Sequence, residues 1–367
     1  MRIAYVLTSL GIGGAERQVL AIATRMADRG HTVAILVLRP RLPEEWPTAL
    51  PVHYLDLRKN PLSLCAALLR ACRFLRLFIP DILHSHSFHA NIFARLLKPT
   101  SAPVVLSTIH NIYEGGRLRM LVYRLTDPLS TRTIAVSGAA AQRFVRLKAV
   151  PQNKITVIPN AIDTAEFSPN PARRTQARTS LSAADNFIWL AAGRIVAAKD
   201  FPNLLRAFAI VHAAHPTAQL WIAGQPASPA FERLQTLSQA LSLGRSMQCL
   251  GLRHDIPALL DAADAFVLSS AWEGMPLVLA EAMAMEKPIV ATDVGGVREL
   301  LGESAHIVPA ANPQALAAAM LSLMQSVPED RRNQAHAARA RIQTHFSLET
   351  RVIEWESLYA SLIKPKL

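Results

Sequence analysis

Short runs of β-branched and aliphatic residues alternate with longer helical patterns along this 367-residue chain, and the alternation pauses only once. In the first half, residues 3–7, 32–38, 82–84, 104–107, 133–136 and 155–157 read as buried strands. Helical patterns fall between them at 15–29, 62–78, 89–97, 117–126 and 138–148, the last opened by Ser137 as a capping residue. Residues 159–186 break the rhythm with Pro169, Pro171, two adjacent arginines and a Ser/Thr/Ala-rich stretch, which suits a linker. Strands then resume at 187–191, 219–223, 247–250, 265–268, 288–291 and 305–308, with helices near 201–214, 229–242, 255–262, 276–285 and 312–325. A last helical stretch covers 347–363. Such βαβα order builds a parallel sheet with helices on both faces. Two α/β domains of similar size are therefore expected, in keeping with about 100–200 residues per domain.

Composition removes several classes. With 51% hydrophobic and 18% charged residues the chain buries ample apolar surface, so disorder is excluded, and 6% aromatics make the core aliphatic. Three cysteines, Cys65, Cys72 and Cys249, cannot all pair, and a cytoplasmic location is expected. The most apolar long stretch, 61–80, is interrupted by Arg70, Arg73 and Arg76, which argues against a membrane span. The run at 3–7 lacks a cleavage site and reads as a strand, not a signal peptide. The formal charge of +12 is unevenly placed. Residues 1–170 hold 21 Lys/Arg against 10 Asp/Glu, and residues 171–367 hold 18 against 17, which points to an anionic partner for the first half.

Glycines at a strand-to-helix turn let backbone approach a ligand, and a helix N-terminus favours an anion. Gly11, Gly13 and Gly14 follow the first strand, but Glu16 stands where a dinucleotide fingerprint has its third glycine, and no acidic residue closes the second strand. Nicotinamide binding is disfavoured, and a tight turn without ligand is the plain alternative. In the second half, Gly193-Arg194 and Lys199 follow a strand, and two cations at such a sheet edge suit a diphosphate. Glu273-Gly274-Met275-Pro276-Leu277 then opens a helix, with Pro276 in its first turn and Glu281 further along. The amides of Gly274, Met275 and Leu277 are placed for an anion, and an inward Glu281 for a diol such as ribose. Two glutamates merely favouring a helix N-terminus are the simpler reading; the glycine turn Gly295-Gly296 with Glu299 downstream weighs against it.

On these residues the chain resembles the retaining family-4 glycosyltransferases of the GT-B type. The resemblance covers essentially the whole chain: Gly13-Gly14-Ala15-Glu16, Ile158-Pro159-Asn160 through Asp163, Arg194 with Lys199, and Glu273 with Glu281. Gly251 with Asp255, the Gly295-Gly296 turn, and a closing helix with Trp355 and Tyr359 complete it. It implies an α/β fold of two Rossmann-like parallel-sheet domains facing each other across a cleft. Residues 1–168 would bind acceptor, residues 169–345 the nucleotide-sugar, and residues 346–367 would form a helix returning to the N-terminal domain. Arg194 and Lys199 would hold the donor diphosphate with the amides of Gly274, Met275 and Leu277. Glu281 would bind the ribose, Glu273 the donor sugar, and Gly13 and Gly14 would lie beneath the phosphates. His110 matches a histidine near the anomeric carbon, and a structural loop histidine is its alternative. His84, His86 and His89 have the look of a metal cluster but lack an acidic partner, and are read as structural. Two departures stand out: Asp200 and Glu286 occupy positions where the family has glycine.

The implied activity is retaining transfer of a sugar from a UDP- or GDP-sugar to a glycan or lipid-linked acceptor, in surface polysaccharide or glycoconjugate synthesis. No metal, no cofactor and no nucleic acid are expected. The competing classes are an NAD(P)-dependent oxidoreductase and a catalytically silent GT-B scaffold. On a helical wheel of 61–80, Arg70, Arg73 and Arg76 fall within about 120°. Leu64, Leu68, Ala71, Phe74, Leu75 and Phe78 take the other side. Docking on an anionic membrane surface, peripheral on the cytoplasmic face, is therefore expected. An ordinary helix with its arginines in water is the alternative.

Overall fold

The computed structural model describes residues 1–101, 104–183, 185–225 and 229–363. Contacts divide the chain into two units. The first is Met1–Ala161 together with the stretch that begins at Leu348, and the second is Ile162–Ser347.

The first unit runs β1 (Arg2–Leu7), α1 (Gly14–Asp28), β2 (Thr32–Val37), β3 (Val52–Tyr54), α2 (Pro61–Phe78), β4 (Ile82–His86) and α3 (Phe88–Ser101). It continues with β5 (Val104–Ile109), α4 (Arg117–Thr126), β6 (Arg132–Ala135), α5 (Gly138–Arg146) and β7 (Ile155–Val157). Its sheet is parallel, in the order β3-β2-β1-β4-β5-β6-β7. β1 and β2 are near-continuous apolar runs because both faces are covered, whereas β4 and β5 carry buried polar residues, His84, Ser85 and His86 on one and Ser107 and Thr108 on the other. Ile3, Tyr5 and Leu7 of β1 face one apolar cluster with Val19, Ala23 and Met26 of α1; Ala4 and Val6 face another with Ala67 and Ala71 of α2 and Phe93 and Leu97 of α3. Side chains alternate along β5, so Val105, Ser107 and Ile109 share the second side. There Arg95 of α3 donates to Ser107 Oγ (3.1 Å), and Met120 of α4 packs with Ile109.

The second unit contains α6 (Pro171–Ser180), β8 (Ile188–Ala192), α7 (Phe201–Ala214), β9 (Gln219–Ala223), α8 (Pro229–Ala240), β10 (Met247–Gly251) and α9 (Ile256–Ala262). It goes on with β11 (Ala265–Leu268), α10 (Leu277–Ala284), β12 (Ile289–Thr292), α11 (Val297–Leu301), β13 (His306–Val308), α12 (Pro313–Gln325) and α13 (Pro328–His345). Its parallel sheet is ordered β10-β9-β8-β11-β12-β13, with α7 and α12 packed on it over Trp189, Leu220, Ile222 and Val267. Ile162 and Ser347, at the two ends of this unit, bridge in parallel, and Ile162 N–H donates to Phe346 O at 2.9 Å. The final helix, α14 (Leu348–Leu362), belongs to the first unit. There Trp355 and Tyr359 are buried, and Glu356 pairs with Arg29 and His31 (both 2.7 Å).

Three expectations need correction. The proposed linker contains α6: Asn170 caps it, Arg173 pairs with Asp261, and Arg174 and Arg178 reach Asp264 at 2.6 and 3.2 Å. A helix with so little apolar surface is held by ion pairs, which periodicity does not reveal. On α2, Leu64 is 38% exposed, and the burying face is Ala67, Ala71 and Leu75. Pro276 is the capping residue before α10, with extended backbone (ψ 113°), one place ahead of the first turn.

Candidate active site

In the second unit the candidate residues gather where β8 and β11 end. Gly193 follows β8 at φ +147°, a conformation L side chains rarely adopt, and a Cβ there would lie 2.8 Å from Lys199 Cε. The backbone conformation requires the glycine here, and a Cβ would also displace the end of the Lys199 side chain. Arg194 is exposed, and its guanidinium makes no hydrogen bond or ion pair to any described residue. Lys199 Nζ donates to Glu273 Oε1 at 2.6 Å, and Ser270 Oγ donates to the same oxygen at 2.7 Å. The two loops are also joined by Ala271 N–H to Ala198 O (2.8 Å) and Ser269 Oγ to Lys199 O (2.8 Å). From below, Gly295 (φ +54°) touches the Glu273 carbonyl so closely that any Cβ would overlap it, and Gly296 N–H donates to Gly274 O at 2.8 Å.

Gly274 and Met275 are buried in this loop, and Leu277 begins α10. The amides of Gly274 and Leu277 meet no acceptor among the described residues, as the open end of a helix requires. Glu281 is buried on α10, six per cent exposed. Thus Lys199, Glu273, Gly274, Met275 and Leu277 lie on two joined loops, Arg194 stands exposed next to Gly193 at the start of the first, and Glu281 is on the helix that leaves the second.

The two departures from glycine have local accounts. Asp200 adopts the left-handed conformation (φ 43°) that glycine takes freely, and its carboxylate accepts from Asn203 N–H at 3.3 Å, capping α7. The negative charge is spent on a helix N-terminus. Glu286 is also left-handed (φ 53°), and its carboxylate meets His336 (3.2 Å) and Arg339 (3.7 Å) of α13.

In the first unit, Gly13 is the extended residue before α1 and Gly14 opens the helix. Glu16 folds its carboxylate back over Gly13, a place no Cβ would leave it. His110 follows β5. His86 ends β4 and is registered one pair before it, against Thr108, so the two rings stand on one side, with His86 Nδ1 and His110 Nε2 3.0 Å apart. Burial lowers His110 to about 4 and His86 well below the usual imidazole range. His84, lowered to about 3 first by burial and then by the nearby His110, hydrogen-bonds Tyr359 Oη and Thr108 Oγ1, both at 2.7 Å. At neutral pH all three are neutral, so His110 offers a hydrogen bond and no charge. His89 stands apart on α3. Among the described residues no three His, Cys, Asp or Glu side chains gather as metal ligands.

Sequence reasoning missed what holds His110. The carboxylate of Glu114 accepts from His110 N–H (3.1 Å) and from Tyr123 Oη (2.6 Å), and burial raises its pKa to about 7. Asn91 also donates to Tyr123 Oη at 2.9 Å. No local spacing signals this set, since it joins α3, α4 and a loop. Ser270, three residues before Glu273, was within reach of pattern reading. Arg70, Arg73 and Arg76 stand on the exposed side of α2, and Arg70 also donates to Leu55 O at 2.8 Å.

Two parallel-sheet Rossmann-like units, each with glycine turns at the ends of its strands, define the GT-B class of fold. Solved structures agree. HepE of Anabaena, in complex with UDP and glucose, superposes with a TM-score of 0.87 at 20% identity, covering 98% of this chain and 100% of that one. Sucrose-phosphate synthase of Thermosynechococcus elongatus gives 0.85 at 21%, covering 99% of each chain. The family model for group 1 glycosyl transferases matches residues 172–341, and that for glycosyltransferase family 4 matches residues 12–166. The chain belongs to the group 1, family 4 glycosyltransferases. It is 28% identical over 350 residues to the D-inositol 3-phosphate glycosyltransferase of Thermobispora bispora, covering 85% of this chain and 82% of that protein. It is also 28% identical over 228 residues to an Escherichia coli UDP-Gal:α-D-GlcNAc-diphosphoundecaprenol α-1,3-galactosyltransferase, a match spanning 59% of this chain and 58% of the relative.

Proposed function

We propose that this glycosyltransferase moves a sugar from a nucleoside-diphosphate donor to a glycan or lipid-linked sugar acceptor, without a metal and with retention of anomeric configuration. The observation that carries the reading is Lys199 bound to Glu273 beside the open amides of Gly274 and Leu277, with Arg194 on the same loop as Lys199 and without a side-chain partner among the described residues. As the glycosidic C–O bond breaks, the departing diphosphate gains negative charge, and fixed cations and amides aimed at that charge lower the barrier. A Lys ammonium has three donors; one holds Glu273 and two remain for phosphate oxygens. Arg194 supplies a planar fork for the same group. Glu273, fixed by Lys199 and Ser270, accepts from donor-sugar hydroxyls, and Glu281 accepts from the ribose diol. His110, neutral, hydrogen-bonds a sugar hydroxyl through Nδ1. No carboxylate is assigned as a covalent nucleophile, so retention follows a front-face route through an oxocarbenium-like state.

The complexes of HepE with UDP and glucose support a uridine donor, and the E. coli relative, named for a diphosphoundecaprenol acceptor, supports a lipid-linked one. The arginines of α2 then serve a peripheral association with an anionic membrane; among the described residues no helix is long and apolar enough to cross one. A thermal-shift screen of UDP-, GDP- and ADP-sugars with NADH and NADPH tests the donor class. UDP- or GDP-sugars should raise the melting temperature with chelator present. A shift with a nicotinamide cofactor alone would overturn the reading.

A further inference from the structure

The side of the first sheet covered by α2, α3 and α4 has an unusual surface. These three helices are neighbours in one row, α3 packing against both α2 and α4. Not one acidic residue occurs in any of them. Their large exposed apolar side chains are all leucines. Leu118, Leu121 and Leu125 form an i, i+3, i+7 stripe along α4, exposed by 73, 47 and 70%. Leu96 projects from α3, and Leu69 and Leu77 from α2. Interleaved with them are exposed Arg73 and Arg76 on α2 and Arg117 and Arg124 on α4. The opposite side of the sheet carries acidic residues on its helices, Glu16 and Asp28 on α1 and Glu349 and Glu356 on α14. Among described residues of the second unit, only Val196, Ile210 and Val327 are large, apolar and exposed.

We propose that the α2–α3–α4 side is a membrane-docking surface whose leucines enter the acyl boundary of an anionic bilayer while its arginines meet the lipid phosphates. The proposal rests on the membrane association proposed above. It goes beyond it in surface and in mode: attachment is apolar as well as electrostatic, and α4 is its centre. Charge complementarity selects the occupant, since an arginine set with no acid among its helices matches a phosphate plane. A protein partner fits less well, because the hot spots of protein interfaces are led by Tyr, Trp and Arg with leucine under-represented, and here leucine supplies the whole exposed apolar set. Leucines flanked by arginines on a short amphipathic helix are the pattern of interfacial membrane helices. The consequence is positional: six residues separate His110 from Arg117, so the docking helix is the continuation of the candidate-site loop.

Sedimentation of the full chain with vesicles decides it, using phosphatidylcholine alone and phosphatidylcholine mixed with phosphatidylglycerol. The wild type should bind the mixed vesicles and keep part of that binding at high salt. Leu118→Asn, Leu121→Asn and Leu125→Asn together should weaken binding about tenfold or more even at low salt. Arg70→Ser, Arg73→Ser and Arg76→Ser together should weaken only the salt-sensitive part. Unchanged melting temperature and unchanged release of nucleoside diphosphate keep each variant interpretable. Wild-type binding by the leucine variant, or loss of all binding in salt, overturns insertion and leaves charge-driven docking. No vesicle binding with turnover intact overturns both and leaves the glycosyltransferase reading. Self-association that the leucine variant abolishes would make this face an interface between copies.

Discussion

The Lys199–Glu273 pair is where one side chain touches most of the proposed chemistry. Lys199→Ala removes a charged donor from the leaving-group side and unties Glu273. Losing one such electrostatic contact typically costs about 3–4 kcal/mol, a factor of about 10²–10³ in kcat. Steady-state kinetics on a folded variant should show that loss, and near-wild-type turnover would remove Lys199 from the phosphate site. Glu281→Ala should act differently, raising KM for the donor more than it lowers kcat, because the proposed ribose contact would be made in ground and transition states alike. A second residue-scale expectation concerns pH. His84, His86 and His110 are depressed far below 6.5, so the stability tied to their neutral forms is complete above that value. It is lost as pH falls through 6.5 toward about 4. Glu114, raised to about 7, has the opposite sign: its contribution is complete below about 4.5 and lost as pH rises through 7. Three lowered imidazoles oppose one raised carboxyl, so melting temperature should fall on acidification below 6.5, and His110→Asn should make that slope shallower. An unchanged slope would place His110 outside the buried network.

At the scale of elements, the Glu273 loop rests on the Gly295 turn. Gly295→Ala adds a Cβ at φ +54° into the Glu273 carbonyl, and the loop must move. Displacements of about 1 Å at a reacting site cost about 10²-fold in rate, and that loss should appear in kcat/KM while the circular dichroism spectrum stays unchanged. Retained activity would show that the turn does not support the site. Strands were legible as short runs of β-branched and aliphatic residues, because both faces of a parallel sheet are buried, and the helices with large apolar stripes by their 3.6 period. The elements that escaped carry neither signal. α13 buries only Ala335, Ala338 and Ile342, α6 buries Ala177 and relies on arginine pairs, and β3 is a three-residue edge strand. The site followed the same rule. Arg194, Lys199, Glu273 and Glu281 are local to glycine turns and stand out in sequence, whereas Glu114, Tyr123 and Asn91 meet only through tertiary packing.

For the molecule as a whole, the division by contacts sharpens the charge asymmetry. The first unit, counting the stretch from Leu348, holds 24 Lys/Arg against 11 Asp/Glu, and the second 15 against 16. The excess of positive charge thus lies on the unit with the leucine-rich face, and the unit with the Arg194–Lys199 cluster is nearly neutral. The donor recognition proposed for it would depend on a few placed groups, not on a general field. The two-domain plan was legible from the restart of the β/α alternation. The return of α14 to the first unit depends on contacts that periodicity does not specify, including Tyr359 Oη to His84 at 2.7 Å and Tyr5 Oη at 3.3 Å. The central claim is metal-free, retaining transfer from a nucleoside-diphosphate sugar. Its most direct measurement is proton NMR of turnover with a UDP- or GDP-sugar in excess chelator, reading the anomeric coupling of the first product. The account predicts equal rates with and without chelator and a product of the donor's own configuration; activity restored only by magnesium or manganese, or an inverted product, would contradict it.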